Sequence, residues 1–146
     1  MPQTFTALWV HLIWATKHRE PILLKSIRIP LYKQIRLIAS QKGYHLDFIN
    51  GVEDHVHCLF SVQPSCSISQ IAKNTKGASS HWLNRQGLIE GPFEWQDGYA
   101  AFSVSPSNVQ RVRNYISNQE THHKTVGFEA ELDSLRTSVI PLGLET

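Results

Sequence analysis

Two histidines, His55 and His57, stand two residues apart in a segment that alternates between polar and apolar residues. Val56, Cys58 and Phe60 form an apolar row with a period of two, which predicts a β-strand with that row on a core. The histidines then share the opposite face, and their imidazoles are close enough to bind one cation. Two polar side chains on a solvated face would give the same spacing, so this pair alone leaves both interpretations open.

A second chemical candidate is Tyr115, which lies in a polar stripe on a predicted helix. Ser105 and Pro106 open this helix as a hydroxyl N-cap followed by proline at the first position. Tyr115 and Gln119 are one turn apart and therefore share a helical face. The full stripe consists of Asn108, Arg111, Tyr115 and Gln119. A helix residue with a packed ring and a solvated hydroxyl would give the same pattern.

The elements that would position these residues follow the order strand, helix, strand, strand, helix, strand, with further helices after them. The predicted strands cover residues 6–15, 44–50, 51–62 and 95–104. The first is apolar on both faces, as expected at the centre of a sheet, and we interpret its polar member, His11, as a buried core histidine. The order predicts an α+β, ferredoxin-like (RRM-like) fold, an antiparallel sheet with two helices on one face. The helix that carries Tyr115 would cover the other face.

Local signals set the expected boundaries of these elements. Because proline fits only the first turn of a helix, Pro30 places the start of the first helix near residues 27–29. Gly43 is expected to cap the end of that helix. The Asn50-Gly51 pair is a signal for the turn of a hairpin, and Ser67 can cap the second helix.

Length and charge narrow the class of protein. The 146 residues predict a single domain over residues 1–146, and the absence of a leader pattern or a long apolar run favours a soluble cytoplasmic protein without a membrane. The net charge is +2, but residues 1–85 carry ten Lys/Arg and four Asp/Glu, whereas residues 86–146 carry four and eight. This basic portion favours a polyanionic partner, although solvated helix faces would explain several of the cations. The candidate nucleic-acid contacts are Lys17, Arg19, Lys73, Lys76, Arg85 and Arg111.

Taken together, the motifs of this chain resemble the HUH single-tyrosine transposases, the small transposases of bacterial insertion sequences that move as single-stranded DNA. The most specific block runs from Tyr115 to His123 (Tyr-Ile-Ser-Asn-Gln-Glu-Thr-His-His), about sixty residues after the His-Val-His triplet, with Phe128 and Glu129 following it. The other matching blocks are residues 16–21, 54–57, 76, 79–80, 82–83 and 95–99. More divergent relatives associated with palindromic repeats usually have Tyr-Ile-x-x-Asn-Pro on the helix, so Gln119 groups this chain with the insertion-sequence type.

The resemblance implies that Tyr115 attacks a DNA phosphate, forming a 5′-phosphotyrosine and releasing a 3′-OH. It also implies that His55, His57 and Gln119 hold one divalent cation, Mg²⁺ or Mn²⁺. Because two imidazoles and an amide carry no negative charge, we expect the DNA phosphate to complete the site and metal affinity to be poor without DNA. Asp54 would point to the opposite face of the strand. The implied partners are single-stranded DNA hairpins at the element ends and a second copy, in a homodimer with shared active sites.

Three alternatives remain open at the level of sequence. A relaxase-like nicking protein would use the same chemistry, but such chains are usually longer than 146 residues. A catalytically silent module that binds single-stranded nucleic acid could have the same sheet, and a covalent Tyr115–DNA adduct would exclude it. A zinc hydrolase would need a third histidine or an acidic ligand, and the sequence offers none at a usable spacing.

Overall fold

A four-stranded antiparallel sheet organises the protein, and its strand order is β2-β3-β1-β4. The computed structural model describes residues 3–139. The strands are β1 (Trp9–Ala15), β2 (His45–Gly51), β3 (His55–Ser61) and β4 (Ala100–Val104). Helices α1 (Lys25–Gln41) and α2 (Ile68–Gln86) connect them in the predicted order. This is the ferredoxin-like α+β plan expected from the sequence.

The predicted central strand lies at the centre of the sheet. β1 pairs with both β3 and β4, and it is buried over nearly its whole length. β1 begins at Trp9 rather than at residue 6, because Trp9 is its first residue with a partner in both neighbouring strands. These partners are Ser61 in β3 and Val104 in β4. Val62 adds one backbone hydrogen bond to Leu8, 2.6 Å long, just before the strand.

One face of the sheet packs against α1 and α2 and forms the main hydrophobic core. β3 contributes Val56, Cys58 and Phe60 to this core, as the alternating pattern predicts. Helix α1 contributes Leu31 and Ile35, both fully buried. Helix α2 contributes Ile71, Ala72 and Leu83, and its first turn is capped by the Ser67 hydroxyl, which accepts a hydrogen bond from the Gln70 amide at 3.1 Å.

The start of α1 differs from the prediction, whereas its end agrees. The helix begins at Lys25 and carries Pro30 inside it. Proline has no amide hydrogen, so the carbonyl of Ser26 has no i+4 donor within the helix. Ser26 is exposed, and this is the one helical hydrogen bond that Pro30 removes. At the end, Gly43 has a φ of +75°, and the Tyr44 amide donates to the Ala39 carbonyl at 2.8 Å, as in a Schellman motif.

The Asn50-Gly51 pair is not the hairpin turn, contrary to the prediction. Both residues belong to β2, and residues 52–54 connect β2 to β3. Gly51 is required for another reason: a Cβ there would collide with the backbone oxygen of His55. Asn50 pairs with His57 across the two strands, which places its side chain beside the histidine face.

The other face of the sheet is covered by three short helices: α3 (Val109–Ser117), α4 (Gln119–His122) and α5 (Phe128–Val139). β4 starts at Ala100 rather than at residue 95, since Gly98 has a φ of +85° and Trp95 forms only an isolated bridge with Thr16. Pro106 opens a 3-10 turn before α3, but the Ser105 hydroxyl lies 3.2 Å from that of Ser107 instead of capping a backbone amide. Within residues 3–139, no helix has the length and apolar character needed to cross a membrane.

Candidate active site

The two histidines of β3 are fully buried on the face opposite the main core. His55 Nδ1 lies 2.7 Å from the Asp54 carboxylate, and His57 Nδ1 lies 2.7 Å from His11 Nε2. Hydrogen bonds at Nδ1 fix the orientation of both rings and direct both Nε2 atoms toward the same space, as in histidine ligands of metals. The interpretation of His11 as a buried histidine is confirmed, and its partner is His57.

The position of Asp54 differs from the expectation. Alternation along a regular strand would send its side chain to the other face, but Asp54 precedes β3, which starts at His55. Its carboxylate therefore turns back to His55. Glu120, the acidic neighbour of Gln119, faces away from the histidines and lies 3.4 Å from the guanidinium of the buried Arg28.

Tyr115 lies beside the histidines. Its ring centroid is 5.9 Å from that of His57, and its hydroxyl donates a short hydrogen bond to the carboxylate of Glu131 on α5. Helix α3 is docked on β2 through polar contacts: Arg113 forms two hydrogen bonds of 2.7 Å with Asp47. The Asn50 amide donates to the last carbonyls of the helix, at 3.0 Å for Ile116. These contacts set the position of the tyrosine.

Gln119 lies one turn after Tyr115, as predicted, although α3 ends at Ser117 and α4 begins at Gln119. Its side chain is fully buried. Its Nε2 lies 3.4 Å from the Tyr115 carbonyl. Within residues 3–139, its Oε1 is buried without a hydrogen-bond partner. A buried amide oxygen without a donor is costly, and a bound cation would satisfy it.

Two residues join the site that sequence reasoning did not place there, His123 and Glu131. Glu131 Oε1 lies 3.1 Å from His55 Nε2, 3.2 Å from His57 Nε2 and 2.9 Å from His123 Nε2. The ligand atoms of these four residues all lie within 4.8 Å of one another. The expectation that no third histidine or acidic ligand is available was therefore wrong.

The sequence signals that could have placed His123 and Glu131 in the site differ. His123 lies four residues after Gln119, which itself follows Tyr115 by four, so the helical stripe could have been extended to it. Glu131 lies on α5, and the sequence has no local pattern that brings α5 over the sheet. Phe128 at the start of α5 packs against the His55 ring with a centroid distance of 4.5 Å, and this contact depends on the tertiary fold.

Burial determines the charge states in the site. It lowers the pKa of His57 to about 4 and that of His11 to about 3, so both are neutral at neutral pH. Burial opposes protonation of His55 as well, but its hydrogen bonds to Asp54 and Glu131 raise its pKa above the ordinary value. Burial and the hydrogen bond to Glu131 raise the pKa of the Tyr115 phenol. A neutral imidazole is the form that binds a metal, whereas the phenol needs assistance to ionise.

The candidate nucleic-acid contacts occupy four regions of the surface. Lys17 and Arg19 form exposed ion pairs of 2.6 Å with Glu94 and Glu129 respectively. Lys76 donates to the backbone oxygens of the 96–98 loop, at 2.6 Å for Gly98. Lys73 and Arg85 are exposed on α2, on the layer away from the histidines. Arg111 lines a cavity of about 310 Å³ that also contains Tyr115 and Phe102.

A fold of this topology with paired histidines facing a helical tyrosine defines the class of HUH nucleases and transposases. Residues 4–119 match the sequence profile of the family described as "Transposase IS200 like". The chain therefore belongs to the IS200-like, single-tyrosine (Y1) transposase family.

Similar proteins include the ISDra2 transposase TnpA of Deinococcus radiodurans, which is 30% identical over 114 residues, 75% of this chain and 81% of that protein. The transposase of insertion sequence IS200 from Salmonella typhimurium is 25% identical over 114 residues, 75% of this chain and 74% of that protein.

Two solved structures share the fold. A crystal structure of a Deinococcus radiodurans R1 protein described as a transposase superposes with a TM-score of 0.66 at 30% identity, covering 82% of this chain and 95% of that one. A REP-associated tyrosine transposase bound to a REP hairpin has a TM-score of 0.63 at 15% identity, covering 86% of this chain and 74% of that one.

Proposed function

We propose that this transposase cleaves and rejoins single-stranded DNA at the ends of an insertion sequence, with Tyr115 as the nucleophile. The observation that carries the proposal is the convergence of the tyrosine hydroxyl and both histidine Nε2 atoms on one carboxylate, that of Glu131. A phosphate at that point would contact the nucleophile and the metal ligands together. We place this activity in the cytoplasm, where the DNA of the element lies.

Cleavage by Tyr115 and later rejoining of the strand need no external energy source. The phenolic oxygen of Tyr115 bonds to phosphorus, the bond from phosphorus to the 3′-oxygen breaks, and that oxygen takes up a proton. The phosphotyrosine keeps the energy of the phosphodiester, so a 3′-OH can later attack it and rejoin the strand. Arg111 lies one turn before Tyr115 and lines the same cavity, and we propose that it or the cation stabilises the ionised phenol.

His55, His57 and Gln119 would hold one divalent cation, Mg²⁺ or Mn²⁺. Two features support the fit: both histidines direct Nε2 into the site, and Gln119 has a buried oxygen without a donor in the described part of the chain. When bound, the cation would polarise the scissile phosphate and stabilise the displaced 3′-oxygen. Asp54 and His11 orient the histidines from outside.

The experiment that tests the nucleophile is formation of a covalent adduct. The purified protein is incubated with Mg²⁺ or Mn²⁺ and labelled single-stranded DNA from the region flanking its gene, and the products are separated in SDS. The wild type should form a resistant adduct, and Tyr115→Phe should form none while still binding the DNA. An adduct with undiminished yield in Tyr115→Phe would reject the assignment. No adduct from the wild type on any flanking DNA would favour the silent binding module.

The substrate class that we propose is a DNA hairpin with unpaired bases. One relative of the same fold is described as bound to a REP hairpin, and Phe102 and Arg111 line a cavity beside Tyr115 where a base could stack. Binding to a hairpin from the element end should exceed binding to the same sequence as a plain duplex at physiological salt. Equal affinities for both forms would contradict this choice.

We also infer a homodimer, because excision requires two cuts and each chain has one Tyr115. Within one chain, Tyr115 faces its own His57, whereas shared sites would bring in the tyrosine of the partner. A heterodimer of a His57→Ala chain and a Tyr115→Phe chain distinguishes these arrangements. Shared sites predict an adduct on the His57→Ala chain. Sites formed within one chain predict no adduct on either chain.

A further inference from the structure

Glu131 is unusual for a carboxylate, because its side chain is 0% exposed. In the part of the chain that the structure describes, its polar contacts are with His55, His57, His122, His123 and Tyr115, and no lysine or arginine reaches it. A carboxylate removed from water needs a cationic partner or it becomes costly. A cation bound among these imidazoles would supply such a partner.

The arrangement of ligand atoms fits a single metal ion. Glu131 Oε1 is 2.9–3.2 Å from the three histidine Nε2 atoms, and His55 Nε2 is 3.1 Å from His123 Nε2. Ligands bound at about 2.0–2.2 Å to one first-row ion lie roughly 2.8–3.6 Å apart, from cis-octahedral to tetrahedral geometry, so these separations are those of neighbouring ligands. Three imidazoles and one carboxylate select a transition metal such as Mn²⁺ or Zn²⁺ over Mg²⁺.

The second oxygen of the same carboxylate holds the nucleophile. Glu131 Oε2 accepts the hydrogen bond from the Tyr115 hydroxyl, while Oε1 faces the histidines. One anionic group thus bridges the metal ligands and the tyrosine. Under the proposed function the scissile phosphate would occupy this same position, between the metal ligands and the tyrosine.

We propose that Glu131 is a ligand of the cation in the DNA-free protein, together with His55, His57 and His123, and that the scissile phosphate displaces it when DNA binds. The set of His55, His57 and Gln119 named in the proposed function is then the one that holds the cation with DNA. The displacement step rests on the proposed function, in which a DNA phosphate enters the site and Tyr115 attacks it. The assignment of Glu131 as a ligand replaces the expectation that the site binds metal poorly without DNA. The DNA-free enzyme would then bind its cation before DNA arrives. Tyr115 would stay hydrogen-bonded to Glu131 until a phosphate replaces that carboxylate.

The surroundings of Glu131 make such an exchange feasible. Residue 131 lies beyond residues 4–119, the part of the chain that matches the family profile. Near its start, α5 is held by Phe128, which packs on the His55 ring, and by the exposed ion pair between Glu129 and Arg19. Among the described residues, α5 contributes none to the main core, so a shift of α5 would leave that core intact.

The test measures binding of the metal alone to the DNA-free protein. Mn²⁺ is titrated into the wild type, Glu131→Gln and Asp133→Asn, and bound metal is followed by electron paramagnetic resonance and calorimetry. Asp133 is the matched control, because it is on the same helix and its side chain is 69% exposed in a surface ion pair with Arg136. The wild type and Asp133→Asn should bind one Mn²⁺ per chain with equal affinity. Glu131→Gln should bind it at least tenfold more weakly.

Two results would overturn the ligand assignment: a wild type that binds no Mn²⁺ without DNA, and a Glu131→Gln protein that binds it as tightly as the wild type. Should Glu131→Gln fail to fold, His123→Gln carries the same test with the same expected loss. The exchange is tested by DNA affinity in Mn²⁺: Glu131→Gln should bind a single-stranded end oligonucleotide more tightly than the wild type, and equal or weaker binding contradicts the exchange.

The adduct assay keeps this proposal separate from the proposed function. An adduct that persists in Tyr115→Phe would reject the nucleophile and leave the metal titration standing. Conversely, unchanged Mn²⁺ binding by Glu131→Gln would reject the ligand assignment while adduct formation by Tyr115 remained intact.

Discussion

The two faces of the sheet are held together by different forces. On one face, apolar side chains of β3 such as Val56 and Phe60 pack against α1 and α2 in a closed core. On the other face, α3 packs apolar residues such as Ile116 on a smaller cluster that includes Leu59. Polar contacts also attach this helix to β2, through the Arg113–Asp47 pair and the amide of Asn50.

Because of this difference, the residues of one strand, β3, contribute alternately to the stability of the fold and to the chemistry of the site. Alternate residues of β3 point either into the core or into the site, so a substitution can affect one with little effect on the other. The polar face contains buried imidazoles and a buried carboxylate, which cost free energy unless they are satisfied. We therefore expect variants of the two faces to give different losses, and the following predictions are ordered by the size of the expected effect.

The largest effect is expected from His57→Ala on the polar face. Removal of a metal ligand at the centre of the site should reduce adduct formation below detection, whereas the thermal midpoint should stay close to that of the wild type because the apolar core is intact. The measurement is adduct yield together with a thermal melt. His81→Ala, an exposed histidine on α2, is the control and should behave as the wild type. Loss of the folded state in His57→Ala would show that the two faces are not separable.

Phe60→Ala is the matched change on the apolar face. Phe60 is buried in the core, and truncation of a buried phenylalanine costs about 3–5 kcal/mol of unfolding free energy. Urea denaturation measures this loss. Phe5→Ala removes the same atoms from a residue that is 95% exposed, and its effect should stay within about 0.5 kcal/mol. A similarly small loss for Phe60→Ala would contradict the description of this face as the stabilising one.

His11 supports the polar face from the central strand, because its Nε2 lies 2.7 Å from His57 Nδ1. His11→Phe keeps a ring but removes the nitrogen that fixes the His57 imidazole, and loss of such an outer partner typically costs about 10–100-fold in metal affinity or activity. His11→Gln places an amide near the same point and should recover most of the adduct rate. Equal losses in both variants would mean that His11 acts through packing rather than through the hydrogen bond.

The smallest effect is expected from Asn50→Ala, which loosens the docking of α3. Its amide donates to the carbonyls of Ile116 and Ser117, and one such hydrogen bond contributes about 0.5–1.5 kcal/mol. The adduct rate should therefore fall by roughly 2–10-fold. Asn114→Ala, on the exposed side of α3, should leave the rate unchanged. A rate for Asn50→Ala equal to that of the wild type would exclude a positioning role.

The sequence predicted the parts of the molecule that depend on periodic patterns. The two-residue period of β3 identified both the core row and the histidine face, and helical spacing placed Gln119 one turn from Tyr115. These predictions succeed because backbone geometry alone fixes which side chains share a face. The ferredoxin-like order followed from the sequence of elements for the same reason.

The errors arose where tertiary contacts override local signals. Asn50-Gly51 has the composition of a turn, but Gly51 is needed for the close approach of β3 and Asn50 for the docking of α3. Glu131 could not be predicted, because nothing in its local sequence distinguishes it from the exposed acidic residues of the same helix. Asp54 was assigned to the wrong face, since the strand was taken to begin before His55.

The central claim is that Tyr115 carries the DNA, and peptide mapping of the adduct tests it most directly. Trypsin releases residues 114–124 as one peptide, which contains one of the four tyrosines of the chain. After adduct formation and nuclease trimming, mass spectrometry should find a nucleotide on Tyr115 in this peptide. A nucleotide on a peptide that contains Tyr32, Tyr44 or Tyr99 instead would contradict the account.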